Sequence, residues 1–267
     1  MVDQIEQTLA GTVAVVTGGG GELGFASARA MARRGASIAL VDASEPALER
    51  AAAELANLTE VEIIPADVTA ESDVERYVST VIARFGRIDA FHNNAGIEGK
   101  SAPLYEYDTD EFDRVMAVNV RGVFLGLKHV MRVMRDQRSG AIVNSGSIAS
   151  ERGSASGPGY VASKHAVLGL TREAAVTGAR FGIRVNAIEP GFMDTRMLRT
   201  LIDQQTGGGG DAAVAALGGV VPFGRLGAPE EVGEVVAFLL SAAAAYVTGV
   251  AVPVDGGLLA KVPRPAD

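Results

Sequence analysis

The chain has 267 residues, of which 48% are hydrophobic and 21% are charged, as in ordinary globular domains. Its formal net charge of −8 argues against a nucleic-acid partner, since such proteins usually present a basic surface. The sequence has no cysteine, which excludes disulfides and thiolate metal sites and fits a reducing, cytoplasmic location. The first residues lack the basic and apolar regions of a signal peptide.

Seven short apolar segments rich in β-branched residues predict β-strands, at residues 13–17, 37–41, 61–65, 88–92, 141–145, 183–188 and 250–254. Helical patterns lie between them, and two of these patterns end at Gly35 and Gly86. Nearly continuous apolar strands that alternate with helices predict a doubly wound parallel sheet of about seven strands, with helices on both faces. No linker or second zone of composition is present, so we expect one α/β domain over residues 1–267.

Two segments allow more than one interpretation. Residues 235–254 carry no charge over the length of a membrane span, but Ser241, Thr248, Gly249 and Pro253 favour a buried helix followed by a buried strand. Residues 204–213, "QQTGGGGDAA", predict either a flexible surface loop or a mobile lid over a site. They lie within a stretch, residues 192–220, that we interpret as an insertion around the substrate.

Ligands of such a sheet bind at the carboxyl ends of its strands, so the residues that follow each strand are informative. After the first strand, Gly19, Gly21 and Gly24 match a G-x-G-x-x-G loop, whose backbone N–H groups favour a phosphate. Asp42 stands 18 residues past Gly24, where a carboxylate can accept hydrogen bonds from both hydroxyls of an adenosine ribose. The alternative is that Asp42 caps the following helix.

The later strand ends carry further polar groups. Asp67 and Val68 could hold the adenine edge, and "NNAG" at residues 93–96 supplies amides and a glycine for close backbone approach. Tyr160 and Lys164 are four residues apart on a predicted helix and therefore share one face of it. Ser147 stands 13 residues before Tyr160, at the end of the fifth strand.

Together these motifs resemble the short-chain dehydrogenase/reductase family over essentially the whole chain. The matching segments are the glycine loop, Asp67-Val68, "NNAG", Asn119 within "AVNVRG", Ser147, Y-x-x-x-K, "PGFMDT" at residues 190–195 and the closing "VDGG". Within the family, "NNAGIEGK" and "RGVFLGL" resemble NAD-dependent reductases of cyclic ketones.

The resemblance implies a Rossmann-like fold, NAD as the cofactor and a proton relay. It assigns the catalytic roles to Asn119, Ser147, Tyr160 and Lys164. Ser147 would orient the substrate oxygen, with Ser145 as its rival, and Asn119 would hold a water in the relay. It assigns cofactor contacts to Gly18, Gly20, Gly21, Glu22, Leu23, Gly24, Asp42, Asp67, Val68, Asn94, Ala95, Gly96, Tyr160, Lys164, Pro190, Gly191 and Thr195.

The chemistry explains why a tyrosine and a lysine would be paired. Hydride transfer at a carbonyl carbon requires a proton at the carbonyl oxygen, and a phenol with a pKa of about 10 is a poor base at neutral pH. We expect the Lys164 ammonium to lower the pKa of Tyr160 by charge attraction and to bind the nicotinamide ribose.

The expected function is therefore hydride transfer between NAD(H) and a small secondary alcohol or ketone, with an alicyclic compound favoured. We expect a homotetramer without nucleic-acid or membrane partners. Three alternatives remain: a 3-oxoacyl thioester (acyl-carrier-protein) reductase, a sugar-nucleotide epimerase-like enzyme and a non-catalytic dinucleotide sensor. The relay residues argue against a sensor, and the short C-terminal portion argues against an epimerase.

Two carboxylates depart from the family pattern. Glu22 stands where the middle glycine of T-G-x-x-x-G-x-G belongs, so it either caps its own turn and points outward or crowds and repels the pyrophosphate. Glu189 precedes Pro190 and either contacts substrate or pairs with an arginine such as Arg152. We interpret His92, His129 and His165 as structural and predict no metal site.

Overall fold

A seven-stranded parallel sheet in the order β3-β2-β1-β4-β5-β6-β7 organises the computed structural model, which describes residues 7–154, 157–206 and 210–261. The strands are β1 Val13–Thr17, β2 Ser37–Asp42, β3 Val61–Pro65, β4 Ala90–Asn93, β5 Gly140–Ser145, β6 Ile183–Pro190 and β7 Ala251–Val254. The predicted doubly wound α/β fold is confirmed.

Nine α-helices are described: α1 Glu22–Ala32, α2 Glu45–Leu55, α3 Glu71–Phe85, α4 Thr109–Met116, α5 Val123–Gln137, α6 Pro158–Ala179, α7 Arg196–Thr206, α8 Gly210–Val220 and α9 Pro229–Leu240. Two buried apolar clusters cover the two faces of the sheet. One cluster is built mainly with α1, α2 and α9, and the other with α3, α5 and α6. The chain reverses its direction of winding between β1 and β4, which creates a crevice at the carboxyl ends of these strands.

The predicted strand boundaries need small corrections. β4 begins at Ala90 rather than residue 88, because the backbone N–H and C=O of Ile88 bond to the Gln137 side chain instead of the strand ladder. β6 extends to Pro190 because it pairs with β7 as far as Val254.

The predicted helix ends are partly correct. α3 ends at Gly86 in the left-handed conformation, as predicted. α1 ends at Ala32, and Gly35, with φ +89°, lies in the turn that follows it.

The uncharged stretch over residues 235–254 contains the end of α9 and all of β7, which confirms a helix followed by a strand. The helix packs into the core as predicted, but β7 is an edge strand that is only partly buried, with Pro253 exposed, so the prediction of a buried strand is wrong. None of the helices in the described ranges combines the length and the apolar character that crossing a membrane requires.

The predicted insertion around residues 192–220 forms two helices, α7 and α8, and a bridge between its flanking segments holds its two ends together. Met193 and Gly227 form a parallel bridge, so the chain leaves and rejoins the sheet edge at one place. In the low-complexity stretch, residues 204–206 end α7 and residues 210–213 begin α8, which contradicts a loop at these positions. Residues 207–209 lie outside the described residues.

Candidate active site

One cavity of about 750 Å³ opens at the carboxyl edge of the sheet, in the crevice beside β1 and β4. Its walls include the glycine loop, Asp42, the segment after β4, the end of β5, the start of α6 and the segment from Pro190 to α7. The sheet therefore brings most of the sequence-predicted site residues into a single cavity.

The glycine loop is a tight turn that an added side chain would disrupt. Gly18 has φ +64°, and a Cβ at Gly24 would lie 2.1 Å from the carbonyl oxygen of Gly18. The backbone N–H of Gly20 donates to Asp42 Oδ2 at 3.1 Å. Asp42 Oδ1 accepts from the N–H of Ser44, which is itself the residue at the N-cap of α2. Asp42 is thus held against the loop and is not the cap of the helix.

A buried hydrogen-bond chain fixes the strand ends beneath the cavity. Asn94 donates its side-chain amide to the carbonyl of Thr17, while its Oδ1 accepts from Ser145 Oγ at 3.0 Å. His92 Nε2 lies 3.0 Å from Ser145 Oγ. Since the Ser145 hydroxyl donates to Asn94, His92 must donate to Ser145, and burial lowers the pKa of His92 to about 3. The Ser145 hydroxyl is engaged here, which leaves Ser147 as the serine beside Tyr160.

The start of α6 carries Tyr160 and Lys164 to the end of β5. Tyr160 is half-buried and hydrogen-bonded with Ser147, whose Oγ also accepts from the N–H of Ala149. Lys164 is 5% exposed, and its Nζ donates to the carbonyl of Ser145 at 2.7 Å. Both side chains share one helix face and line the cavity together, as their spacing predicted.

The expected effect of Lys164 on the tyrosine needs correction. The pKa of Tyr160 is raised above its usual value, chiefly by burial, while the hydrogen bond with Ser147 opposes this rise. Lys164 Nζ lies 5.4 Å from the centroid of the Tyr160 ring and bonds to a backbone carbonyl instead. Burial lowers the pKa of Lys164 to about 8. The prediction that this ammonium brings the tyrosine pKa down is therefore wrong for the protein without cofactor.

Asn119 lies in a π-helical turn, Ala117–Gly122, and is 1% exposed. Its side-chain amide donates to the carbonyl of Ile97 and to Ser163 Oγ, and its Oδ1 accepts from the N–H of Ile97. Both amide hydrogens are thus used to fasten the segment after β4 against α6. A water in a relay must therefore bind Asn119 through an oxygen atom.

The opposite wall follows β6. Gly191 donates to the carbonyl of Val254, and a Cβ on it would lie 2.8 Å from Asp255 Cα. Thr195 is 8% exposed and its Oγ1 accepts from the N–H of Leu198 in the first turn of α7. Pro190, Gly191 and Thr195 all line the cavity.

Asp67 and Val68 do not line this cavity, although they were assigned to the cofactor. Asp67 is exposed, and its Oδ1 accepts from the N–H and the hydroxyl of Thr69. Val68 packs beside Gly122. They follow β3, two strands away from β1, so their contact with a nucleotide stays a prediction.

The two unusual carboxylates differ from expectation. Glu22 Oε2 accepts from the backbone N–H of Arg196 at 2.8 Å, so Glu22 caps α7 and not its own helix. Glu189 is 2% exposed, and its Oε1 has no hydrogen-bond partner among the described residues. The pairing with Arg152 is wrong, because Arg152 donates to the carbonyl of Leu258.

Sequence reasoning did not single out Glu98 and Lys100, and it considered Arg152 only as a partner of Glu189. Glu98, Lys100 and Arg152 line the same cavity, and burial raises the pKa of Glu98. Nothing in the spacing of the "GIEGK" segment indicates that its carboxylate, Glu98, lines the same cavity as Tyr160.

One cluster away from the cavity has the spacing of metal ligands. Glu71, Glu75 and His129 offer ligand atoms within 4.8 Å of one another, on α3 and α5. Lys128 Nζ already lies 2.5 Å from Glu71 Oε1, which disfavours a second cation there.

Comparison with known proteins identifies the family. A family model described as "Enoyl-(Acyl carrier protein) reductase" matches residues 21–259. Levodione reductase of Leifsonia aquatica is 46% identical, over 92% of this chain and 93% of the relative. The chain belongs to the short-chain dehydrogenase/reductase family. It is an oxidoreductase, as the sequence predicted, and the predicted likeness to levodione reductase is confirmed.

One further relative and one solved structure are also similar to this chain over most of its length. Cis-4-hydroxycyclohexanecarboxylate dehydrogenase of Sinomonas cyclohexanicum is 41% identical, over 95% of this chain and 99% of the relative. A crystal structure of NAD+-bound xylitol dehydrogenase has a TM-score of 0.90 at 39% identity, and covers 93% of this chain and 99% of that chain.

Proposed function

We propose that this enzyme transfers a hydride between NAD(H) and a secondary alcohol or ketone on an alicyclic ring. One observation carries the proposal: the glycine loop with Asp42 and the group of Ser147, Tyr160 and Lys164 line the same cavity. A nucleotide held by the first set would extend towards the second. The names of the two curated relatives, both associated with ring compounds, support this substrate class.

The residues present fit a dinucleotide. The glycine loop lets a ligand approach the backbone at the start of α1, where N–H groups favour phosphate. Asp42 faces the cavity with a carboxylate that suits ribose hydroxyls. A bound nicotinamide cofactor supplies or accepts the hydride.

We assign proton donation to Tyr160. The raised pKa of its phenol keeps the proton in place at neutral pH, ready for a carbonyl oxygen. Ser147 donates to the same oxygen and fixes its position beside the phenol. Because the same raised pKa opposes phenolate formation, we infer that alcohol oxidation requires a more alkaline pH than ketone reduction.

Lys164 and Asn119 support this arrangement. The buried Lys164 ammonium is anchored on the carbonyl of Ser145, from which it would bind the nicotinamide ribose and supply protons to Tyr160. Asn119 fastens the segment after β4, and a Cβ on Gly96 would lie 3.3 Å from Asn119 Oδ1 and 3.6 Å from Lys164 Nζ, so glycine at this position leaves room for both groups.

The substrate portion of the cavity suits an apolar ring with a polar substituent. Apolar side chains around it are Ile148, Val161, Phe192, Met193, Met197, Leu198 and Leu258. Glu98 and Lys100 also line the cavity and could contact a substituent. We propose that these two charged residues select among substituted rings.

The test is NADH oxidation by the purified enzyme with a panel of alicyclic ketones, acetoacetyl thioesters and steroids. We expect the highest kcat/KM with an alicyclic ketone. A higher kcat/KM with an acetoacetyl thioester would instead favour a 3-oxoacyl thioester reductase. Failure to oxidise NADH with any member of the panel would contradict the proposal as a whole.

We also propose a homotetramer. Phe124 and Val176 are 47% and 78% exposed on α5 and α6, while Phe238 and Tyr246 are 47% and 103% exposed on and after α9. Two separate apolar patches suit two different twofold interfaces, which together generate a tetramer. Sedimentation equilibrium should give the mass of four chains, and a monomer would contradict the proposal.

The domain organisation and location are proposals too. Because both parts of the cavity come from one sheet, we propose that the chain works as a single dinucleotide-binding and catalytic domain. The lack of cysteine fits a cytoplasmic location, which fractionation of cells that express the protein would test.

A further inference from the structure

Glu22 joins the starts of two helices that lie far apart in the sequence, α1 and α7. It is the first residue of α1, and its Oε2 accepts from the N–H of Arg196, the first residue of α7 and 174 positions further along the chain. Gly21, at the N-cap of α1, makes no side-chain cap, so the carboxylate serves the other helix. A glycine, which the family pattern places here, has no side chain with which to make this bond.

The start of α7 depends on such contacts. The first N–H groups of a helix have no partner within that helix, and a carboxylate stabilises this end. Thr195 Oγ1 accepts from Leu198, and Glu22 accepts from Arg196. The first turn has little burial of its own, since Arg196 and Met197 are exposed. The Glu22 carboxylate therefore stabilises the start of α7, where few buried contacts fix the helix in place.

α7 is also a wall of the cavity. Arg196, Met197, Leu198 and Thr200 line it from one side, and Glu22 lines it from the cofactor side. We propose that Glu22 is a positioning residue, which fastens the start of α7 to the cofactor loop and thereby sets the affinity for substrate. The part that concerns substrate rests on the proposed function.

The carboxylate has two effects that can be separated. Its oxygen accepts the Arg196 N–H, and its negative charge stands beside the loop that would hold a pyrophosphate. Glu22→Gln keeps an acceptor oxygen but removes the charge. Glu22→Gly removes both. Glu45 is the first residue of α2 and is exposed, so Glu45→Gly is a control for the loss of a carboxylate at a helix start.

The first measurement is amide hydrogen exchange of residues 194–200 in the protein without cofactor. We expect Glu22→Gly to speed exchange there by roughly tenfold or more, because a charge-assisted hydrogen bond is lost from a local opening equilibrium. Glu22→Gln should fall between the wild type and Glu22→Gly, because its amide oxygen still accepts the N–H but carries no charge, and Glu45→Gly should stay close to the wild type. Unchanged exchange in Glu22→Gly, or equal loss of protection in the glutamine and glycine variants, would overturn the anchoring role.

The second measurement is the kinetics of the same variants. We expect Glu22→Gly to raise KM for the ketone by roughly three- to tenfold with little change in kcat. Both Glu22 variants should tighten NADH binding, by about three- to thirtyfold for glycine, with a gain that shrinks at high salt. Faster exchange with an unchanged KM would overturn the role in substrate affinity. The exchange result does not require turnover, so it stands apart from the proposed function.

Discussion

At the scale of single residues, we expect Asp42 to determine which of the two nicotinamide cofactors binds. Its carboxylate is held by Gly20 and Ser44 and faces the cavity, where a 2′-phosphate would meet it. Two unit charges about 4 Å apart at an effective dielectric near 20 repel by roughly 4 kcal/mol. After solvent screening, we expect kcat/KM to favour NADH over NADPH by about a hundredfold. Equal efficiencies would show that Asp42 does not face the ribose.

We expect Glu189 to make the stability of the fold depend on pH. Burial, with repulsion from Glu151 and Asp255, raises the pKa of Glu189 from 4.5 to about 7. Below pH 4.5 the carboxyl is protonated in both the folded and the unfolded chain. Between 4.5 and 7 only the unfolded chain ionises readily, so stability falls as the pH rises through this window.

Glu189→Gln removes this dependence because glutamine carries no charge. We measure the difference in Tm, variant minus wild type, at each pH. We expect this difference to be more positive at pH 8 than at pH 4. Any cost of burying the amide is the same at both pH values and cancels when the two pH values are compared. Glu54→Gln, at an exposed position of α2, is the matched control and should show no such change. A pH-independent effect of Glu189→Gln would contradict the raised pKa.

The sequence was enough to bring the residues of the proposed proton relay together, but not to give their electrostatics. The four-residue spacing was enough to place Tyr160 and Lys164 together, because helical geometry is local. It could not give the pKa of Tyr160, which depends on burial by residues far along the chain. The chain of His92, Ser145 and Asn94 was missed for the same reason, since these residues meet only when β4 and β5 pair.

At the scale of helices, α1 and α9 pack with unusually close backbones. A Cβ on Gly233 of α9 would lie 2.6 Å from the carbonyl oxygen of Ala26 in α1. We expect Gly233→Ala to push the helices apart and lower the free energy of unfolding by about 1–3 kcal/mol. NADH affinity should fall as well, because α1 carries the glycine loop. Urea titration and NADH binding measure the two effects.

Gly219→Ala is the control for that substitution. Gly219 is an exposed residue of α8, and an added Cβ would have no neighbour within 4 Å. Alanine is the better helix former, so this variant should be neutral or more stable by up to about 1 kcal/mol. A Gly233→Ala protein as stable as Gly219→Ala would show that the two helices are not in close contact.

Elements were predicted best where their signals are local. Apolar runs gave all seven strands to within two residues at each end, and a glycine gave the end of α3. β4 was misplaced because Gln137, 49 residues after Ile88, takes the hydrogen bonds of its predicted start. The glycine-rich stretch after residue 204 gave no sign of the helices on either side.

At the scale of the whole molecule, the order of the strands in the sheet brings the proposed nucleotide-binding residues and the proposed reactive residues to one edge. The carboxyl ends of β1, β2, β4, β5 and β6 open into one cavity, in which we propose that β1 and β2 supply the nucleotide side and β4, β5 and β6 the reactive side. The alternation of strands and helices predicted this arrangement. It could not predict that Glu22 reaches the start of α7, because no local pattern joins positions 174 residues apart.

Tyr160→Phe tests the central claim most directly, since it removes one hydroxyl and leaves the ring in place. We expect kcat for ketone reduction with NADH to fall by roughly 10²–10⁴-fold or beyond detection, while NADH binding stays nearly unchanged. Tyr105→Phe, at a side chain that is 86% exposed, should keep wild-type turnover. Substantial turnover by a correctly folded Tyr160→Phe protein would contradict the assignment of Tyr160 as the proton donor.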